Sequence, residues 1–170
     1  MSSEVEIDVN GLTTRITQLE NPTKIAFSAF RTYYYNYNEH VGQGDLSFDA
    51  LELNVGNAFD HLTGVFKAPL PGSYHFTLSA PCKFCKINFH KNGVDEIQME
   101  QGAEGSPNIH ILAYSVAVDL KEGDEVKIVV AEGELIAAGY DNYPINFSGF
   151  LIQNWLKIKS TGCQCLNFIY

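Results

Sequence analysis

The chain has 170 residues, 45% of them apolar and 12% aromatic, which is enough to build the core of one domain of ordinary size and too apolar for a disordered segment. Its formal charge of −9 disfavours phosphate backbones and anionic lipid surfaces, so nucleic acid and membrane insertion drop out and neutral or cationic partners remain. No run approaches the roughly 18 to 20 apolar residues of a membrane-spanning helix, and Met1–Asn10 lacks the basic start and apolar middle of a secretion signal, so a cytosolic protein or a mature form is expected.

Val5, Val9, Leu12, Ile16 and Leu19 are spaced as in the a/d seam of a coiled coil over about two heptads, and Pro22 would stop such a helix. Gly11, Thr13 and Thr14 are poor helix formers, and Val5, Ile7 and Val9 also alternate as a strand, so residues 1–23 read either as a short coiled-coil remnant or as an N-terminal arm. Residues 24–31 (KIAFSAFR) alternate as a strand. Tyr33, Tyr34, Tyr35 and Tyr37 follow; their rings either lie across the domain surface or form a contact patch between subunits, where tyrosine buries its ring and keeps its hydroxyl wet. Leu46 and Phe48, then Leu51, Leu53 and Val55, are two alternating sets out of phase by one residue near Ala50, which requires a bulge or bend.

The stretch from Leu53 to Ala80 organises the rest. Asn54, Gly56, Asn57, Asp60 and Gly64 supply turn residues while Phe59, Val65 and Phe66 supply apolar anchors, so a loop pinned by buried aromatics is expected. Pro69, Pro71 and Gly72 mark a turn. Tyr74, Phe76, Leu78 and Ala80 then alternate with Ser73, His75, Thr77 and Ser79, the period of a strand with one buried face. Cys85, Ile87 and Phe89 form another inward set ended by Asn92-Gly93, a strong hairpin signal. His110, Leu112, Tyr114, Val116, Val118 and Leu120 share one face of a long strand closed by the Gly123-Asp124 turn, and Val126, Ile128 and Val130 make the next strand. Residues 133–144 read as a loop with a short paired piece around Leu135–Ala138. Ile145 to Ile152 is apolar on both faces and should be a central strand. Eight to ten short strands with turns between them, and no amphipathic helix after residue 22, predict an all-β, antiparallel two-sheet sandwich, most plausibly a jelly roll.

Several motifs carry a family resemblance. Ala26-Phe27-Ser28, Asn54-Val55-Gly56-Asn57-Ala58-Phe59-Asp60, Thr63-Gly64-Val65-Phe66, Pro69-Leu70-Pro71-Gly72-Ser73-Tyr74-His75-Phe76, Lys91-Asn92-Gly93, Gly123-Asp124-Glu125-Val126 and Phe147-Ser148-Gly149-Phe150-Leu151 resemble, in order and spacing, the globular head of complement component 1q (C1q). The resemblance runs from Ile25 to Gln153. It implies a ten-stranded jelly roll akin to the tumour-necrosis-factor (TNF) fold, a homotrimer, a secreted protein, and a recognition module without chemistry of its own.

The residues themselves give a reason to trimerise. Phe147 and Leu151 lie on one face of the last strand and Phe150 and Ile152 on the other, too many large apolar groups for a strand with one wet face, since burying each is worth about 1.5 to 3 kcal/mol. Trimer-interface candidates are therefore Tyr34, Tyr35, Phe147, Phe150 and Ile152. Residues 24–153 form the expected domain, and residues 154–170, with Trp155, Leu156, Ile158, Leu166, Phe168 and Ile169, are too apolar for a free tail and are expected to dock on the domain or on a neighbouring subunit.

Ion binding and chemistry are weakly signalled. Family members that bind calcium cluster acidic residues before the strand matching Ile109–Leu120; this chain has Asn108 and His110 there with Glu100 and Glu104 nearby, so solvated loop charges are the simpler reading and no cofactor is expected. Cys82-x-x-Cys85 and Cys163-x-Cys165 read as disulfides, which would tie the tail to the strand carrying Cys85, as free thiols, or as a zinc site with an unusually tight second pair. A nucleophile elbow, a P-loop and a dinucleotide fingerprint are absent, and the five histidines are scattered, with His75 and His110 most simply structural. Asn146-Phe147-Ser148 is formally a glycosylation sequon, but in a strand expected to be central. Two function classes follow: a trimeric recognition protein of the innate-immune or lectin-like kind, presenting loops to glycans, microbial surfaces or protein ligands, and a TNF-like signalling ligand or structural scaffold acting through one receptor. An intracellular interaction module is a third.

Overall fold

The computed structural model describes residues 10–11, 24–31, 39–137 and 144–155. The heptad-like segment, the tyrosine cluster with Tyr34 and Tyr35, Cys163, Cys165 and the tail beyond Trp155 lie outside the described residues. From residue 24 onward every described element is a strand: β1 Ala26–Arg31, β2 Glu39–Val41, β3 Gly44–Asp45, β4 Ala50–Val55, β5 Phe59–Asp60, β6 Val65–Lys67, β7 Gly72–Lys91, β8 Val94–Gly102, β9 His110–Leu120, β10 Glu125–Ala137 and β11 Ile145–Asn154. All their pairings are antiparallel.

The fold is the expected jelly roll. Its two layers meet in one strand: the first half of β7 lies between β11 and β9, with β1 and β4 beyond β11, and the second half lies between β10 and β8. β2, β3 and β6 run along the other edge of β10. The sequence pattern suggests two strands here, Ser73–Ala80 and the set around Cys85–Phe89, whereas the chain runs through as one strand of 20 residues. The inward set reads Tyr74, Phe76, Leu78, Ala80, Cys82 and then Cys85, Ile87, Phe89, so the phase changes from even to odd at the corner.

That corner is built from close backbone contacts. A Cβ on Gly102 would lie 1.9 Å from the Lys83 carbonyl oxygen, and one on Gly133 would lie 2.2 Å from that of Phe84. Gly133 is therefore a residue of close approach and not the start of a loop, and β10 continues to Ala137 with register shifts around residues 131 and 134. Residues 133–137, expected in a loop with a short paired piece, are strand, and Leu135–Ala137 pair with β2. Cys82 and Cys85 form a disulfide across the phase change, so Cys85 pairs within its own motif and not with the tail.

The core is largely aromatic. Phe27 stacks on Phe59 at 4.1 Å and meets Phe147 edge-on at 5.1 Å, while Phe76 contacts Phe66, Phe89 and Phe147 at 5.2 to 5.9 Å. Gly149 makes room for this, because a Cβ there would sit 2.6 Å from Phe76 and 2.7 Å from Phe27. Tyr74 is fully buried and donates its hydroxyl to the Leu70 carbonyl at 2.7 Å, with burial raising its pKa. The pinned loop forms as expected: the Asn54 side chain bonds both the N–H and the carbonyl of Phe59 around the Gly56-Asn57 turn, where both residues have positive φ. The hairpin at Asn92-Gly93 has φ of 52° and 78°, as its turn type demands. Asn92 also donates to the Asp124 carboxylate and accepts from the Glu125 N–H, so two turns clamp each other. β11 is central, between β1 and β7.

Candidate functional site

The outer surface of the first layer is assembled from one residue in two along five strands. Register places Val55, Ala26, Phe150, His75 and Ala117 side by side across β4, β1, β11, β7 and β9. The next row is Leu53, Ser28, Ser148, Thr77 and Ser115, and the third is Ala50, Phe30, Asn146, Ser79 and Ala113. None of these positions carries a charge, although 18% of the chain is Asp, Glu, Lys or Arg. Most are small; of the large ones, Phe150, Val55 and Leu53 stand 49%, 39% and 44% exposed, with Ile152 at 53% beside them, while Phe30 is half-buried.

Local sequence explains how this face arises. Ala29 pairs Leu51 and the preceding Ser28 pairs Leu53, so Glu52 is an extra residue and the strand bulges there. The bend therefore falls two residues past Ala50, and it rotates Leu53 and Val55 outward while Leu51 stays against the core. The ends of β1, β4 and β11 enclose an open groove of about 490 Å³ lined by Lys24, Ile25, Val55, Phe150 and Ile152 among others.

The interface candidates separate cleanly. Phe150 and Ile152 project from the neutral face. Phe147 does not: it is 0% exposed and packs among Phe27, Phe48, Phe59 and Phe76, because odd residues of β11 point inward up to Leu151. It belongs to the core and is removed from the interface set. Asn146 of the sequon lies on the neutral face. The residues that sequence reasoning missed are Leu53, Val55, His75, Ala113, Ser115 and Ala117. Their signal was an uncharged outward set on neighbouring strands, visible only once the strands are placed side by side.

The outer surface of the second layer has the opposite character. Across β8, β7 and β10 it sets Asp95, His90 and Lys127 in one row and Glu100, Lys86 and Glu132 in another. Lys127 binds both carboxylate oxygens of Asp45 at 2.9 and 2.7 Å, Lys86 pairs with Glu132, and His90 pairs with Asp95, which also accepts from the Asn88 amide at 2.9 Å. The hydrogen bond that Lys86 donates to Glu132, with weaker fields from Glu100 and Glu104, raises the Lys86 pKa. Among the described residues no three or more His, Cys, Asp or Glu side chains are grouped to hold a metal ion, and no helix is long and apolar enough to cross a membrane.

Known proteins are similar to this chain in sequence and in fold. A family model described as the C1q domain matches residues 22–152. Caprin-2 of Danio rerio is 30% identical over 81% of this chain and 14% of its own length. The heavy metal-binding protein HIP of Mytilus edulis is 28% identical over 75% of this chain and 60% of its own, and complement C1q tumor necrosis factor-related protein 2 of Mus musculus is 32% identical over 63% of this chain and 37% of its own. The chain thus spans 14 to 60% of the length of these relatives. Of solved structures, the globular domain of zebrafish complement 1qA protein has a TM-score of 0.62 at 20% identity, covering 76% of this chain and 98% of that one. Eiger TNF from S. frugiperda has 0.60 at 12% identity, covering 80% and 97%. At these identities the two structures speak for the fold alone.

Proposed function

The chain belongs to the C1q-domain family, and from that membership we propose that it is a non-enzymatic recognition module that assembles as a homotrimer through the neutral face of its first layer. The observation that carries the reading is the run of uncharged positions across five adjacent strands. Small side chains let two such faces approach closely, and no ion has to be stripped of water when they meet. Covering Phe150, Ile152, Leu53 and Val55, each already about half covered, returns about 1 kcal/mol apiece. The close packing of the alanines and serines around them adds to that.

Three copies then present three sets of loops. A net charge of −9 favours neutral glycans and microbial surfaces or cationic protein patches over anionic ligands, and three linked weak sites gain avidity without any new contact. An extracellular setting fits the Cys82–Cys85 disulfide. Residues 24–153 are the folded unit in this reading, and the apolar segment 154–170 docks on the domain or a neighbour; removing residues 156–170 lowers the melting temperature if so and leaves it unchanged if not.

The test is solution mass by light scattering together with a glycan array. A mass of three chains and micromolar to millimolar glycan binding support the proposal. A monomer sinks the assembly, and a trimer that ignores sugars but captures one protein partner tightly moves the reading to a TNF-like signalling ligand.

A further inference from the structure

His75 stands in the middle of the neutral face, beside Phe150 on β11 and Ala117 on β9. Its ring packs against Phe150 with centroids 5.2 Å apart, and its Nδ1 is buried without a hydrogen-bond partner. A neutral imidazole leaves one acceptor unused there, in the lone subunit and in the assembly alike. A protonated one adds a charge to three rows that have none, and covering those rows would take that charge out of water.

We propose that His75 makes self-association acid-sensitive, the subunits meeting through this face only while its imidazole is neutral. The proposal rests on the trimeric reading above. Of the groups that face His75, β11 contributes Phe150 and Ser148, and β1 beyond it contributes Ala26 and Ser28. Its own strand contributes Ser73 and Thr77, and β9 contributes Ala117, Ser115 and Asp119. Asp119 is the one charged group among them. It is exposed and accepts a hydrogen bond from the Ser73 hydroxyl at 2.7 Å, so it is already engaged and does not reach the buried Nδ1.

The sign follows from linkage. Where the separated subunits hold more protons than the assembly, association strengthens as pH rises and weakens as it falls. Three subunits each shed one proton, so the trimer association constant drops by up to about a thousandfold per pH unit where the three His75 side chains are protonated in the separated subunits.

The experiment is light-scattering mass of the full chain at micromolar concentration, at about pH 7.5 and about pH 5.5. Two neutral replacements, His75→Gln and His75→Phe, run in parallel so that a packing defect in one is not taken for the answer. The expected result is a wild-type trimer at the higher pH that falls to monomer at the lower, while at least one variant holds its mass at both. A wild-type trimer at both values, or variants that dissociate in acid as the wild type does, overturns the role of His75 and leaves the trimer standing. Two variants that both fail to assemble at the higher pH also overturn it, since a neutral side chain is then not what assembly requires. A wild-type monomer at the higher pH overturns the trimeric reading, and with it any role for His75 in assembly.

Discussion

The two outer surfaces of this sandwich come from the same kind of strand yet differ in what they can do. On the second layer, lysines and carboxylates alternate across β8, β7 and β10 and satisfy one another, as in Lys127 with Asp45 and Lys86 with Glu132. Such a surface is content in water, and its exposed ion pairs contribute little to stability. On the first layer the same alternation yields serine, threonine, alanine, asparagine and a few large apolar groups, with no ion at all across three rows. Where a strand shows one face to water either set is tolerated. Only the uncharged set can also be covered at low cost, and the difference marks which side of the sandwich is available for another copy.

The sharpest way to break this contrast is to put a charge where there is none. Ser148→Arg, at the centre of the neutral face, is expected to reduce the proposed trimer to monomer in light scattering with little change in circular dichroism, whereas Lys127→Glu on the opposite layer leaves the mass unchanged. If both substitutions leave the mass alone, or both abolish assembly, the two faces are not distinguished in the way described.

Smaller effects test what holds the faces in place. Gly149→Ala inserts a methyl between Phe27 and Phe76 directly beneath the neutral face, and overpacking there is expected to cost up to about 3 kcal/mol in chemical denaturation. Next, Cys82→Ser combined with Cys85→Ser releases the corner where β7 passes from one layer to the other. Closing so short a loop is worth about 2 kcal/mol in the chain-entropy account, and a melting temperature indifferent to both the substitution and a reductant would show that the glycine contacts hold the corner unaided.

The smallest effect belongs to Asp124 in the clamp between two turns. The Lys121 N–H and the Asn92 amide hold its pKa below the ordinary carboxylate value of 3.8. Its contribution is therefore complete at pH above that value and is lost as pH falls through the lowered one. Asp124→Asn should cost about 1 kcal/mol at neutral pH and nothing in stronger acid, where wild type and variant melt together. Equal destabilisation at every pH would show that the charge is not what matters.

Much of this could be read from the chain alone. The alternation of Tyr74, Phe76, Leu78 and Ala80, the Asn92-Gly93 hairpin, and the two-sided apolar pattern of Ile145–Ile152 all correspond to what forms, because each depends on a period of two or on positive φ within a few residues. The errors share a different cause. Gly133 looks like a turn residue in isolation, and its purpose becomes clear only against the backbone of Phe84, far back along the chain. Alternation alone puts Phe147 and Phe150 on opposite faces of the strand, and only its place between β1 and β7 shows that the face of Phe147 is the buried one.

Local chemistry thus determined that the chain alternates, where it turns, and that its strands add up to a jelly roll, since those properties follow from side-chain spacing and backbone conformation over short distances. Tertiary structure alone decided which residues share a surface. A neutral face is a property of five strands in register, and the bulge at Glu52 that turns Leu53 and Val55 outward, like the placing of His75 beside Phe150, depends on pairings between residues far apart along the chain.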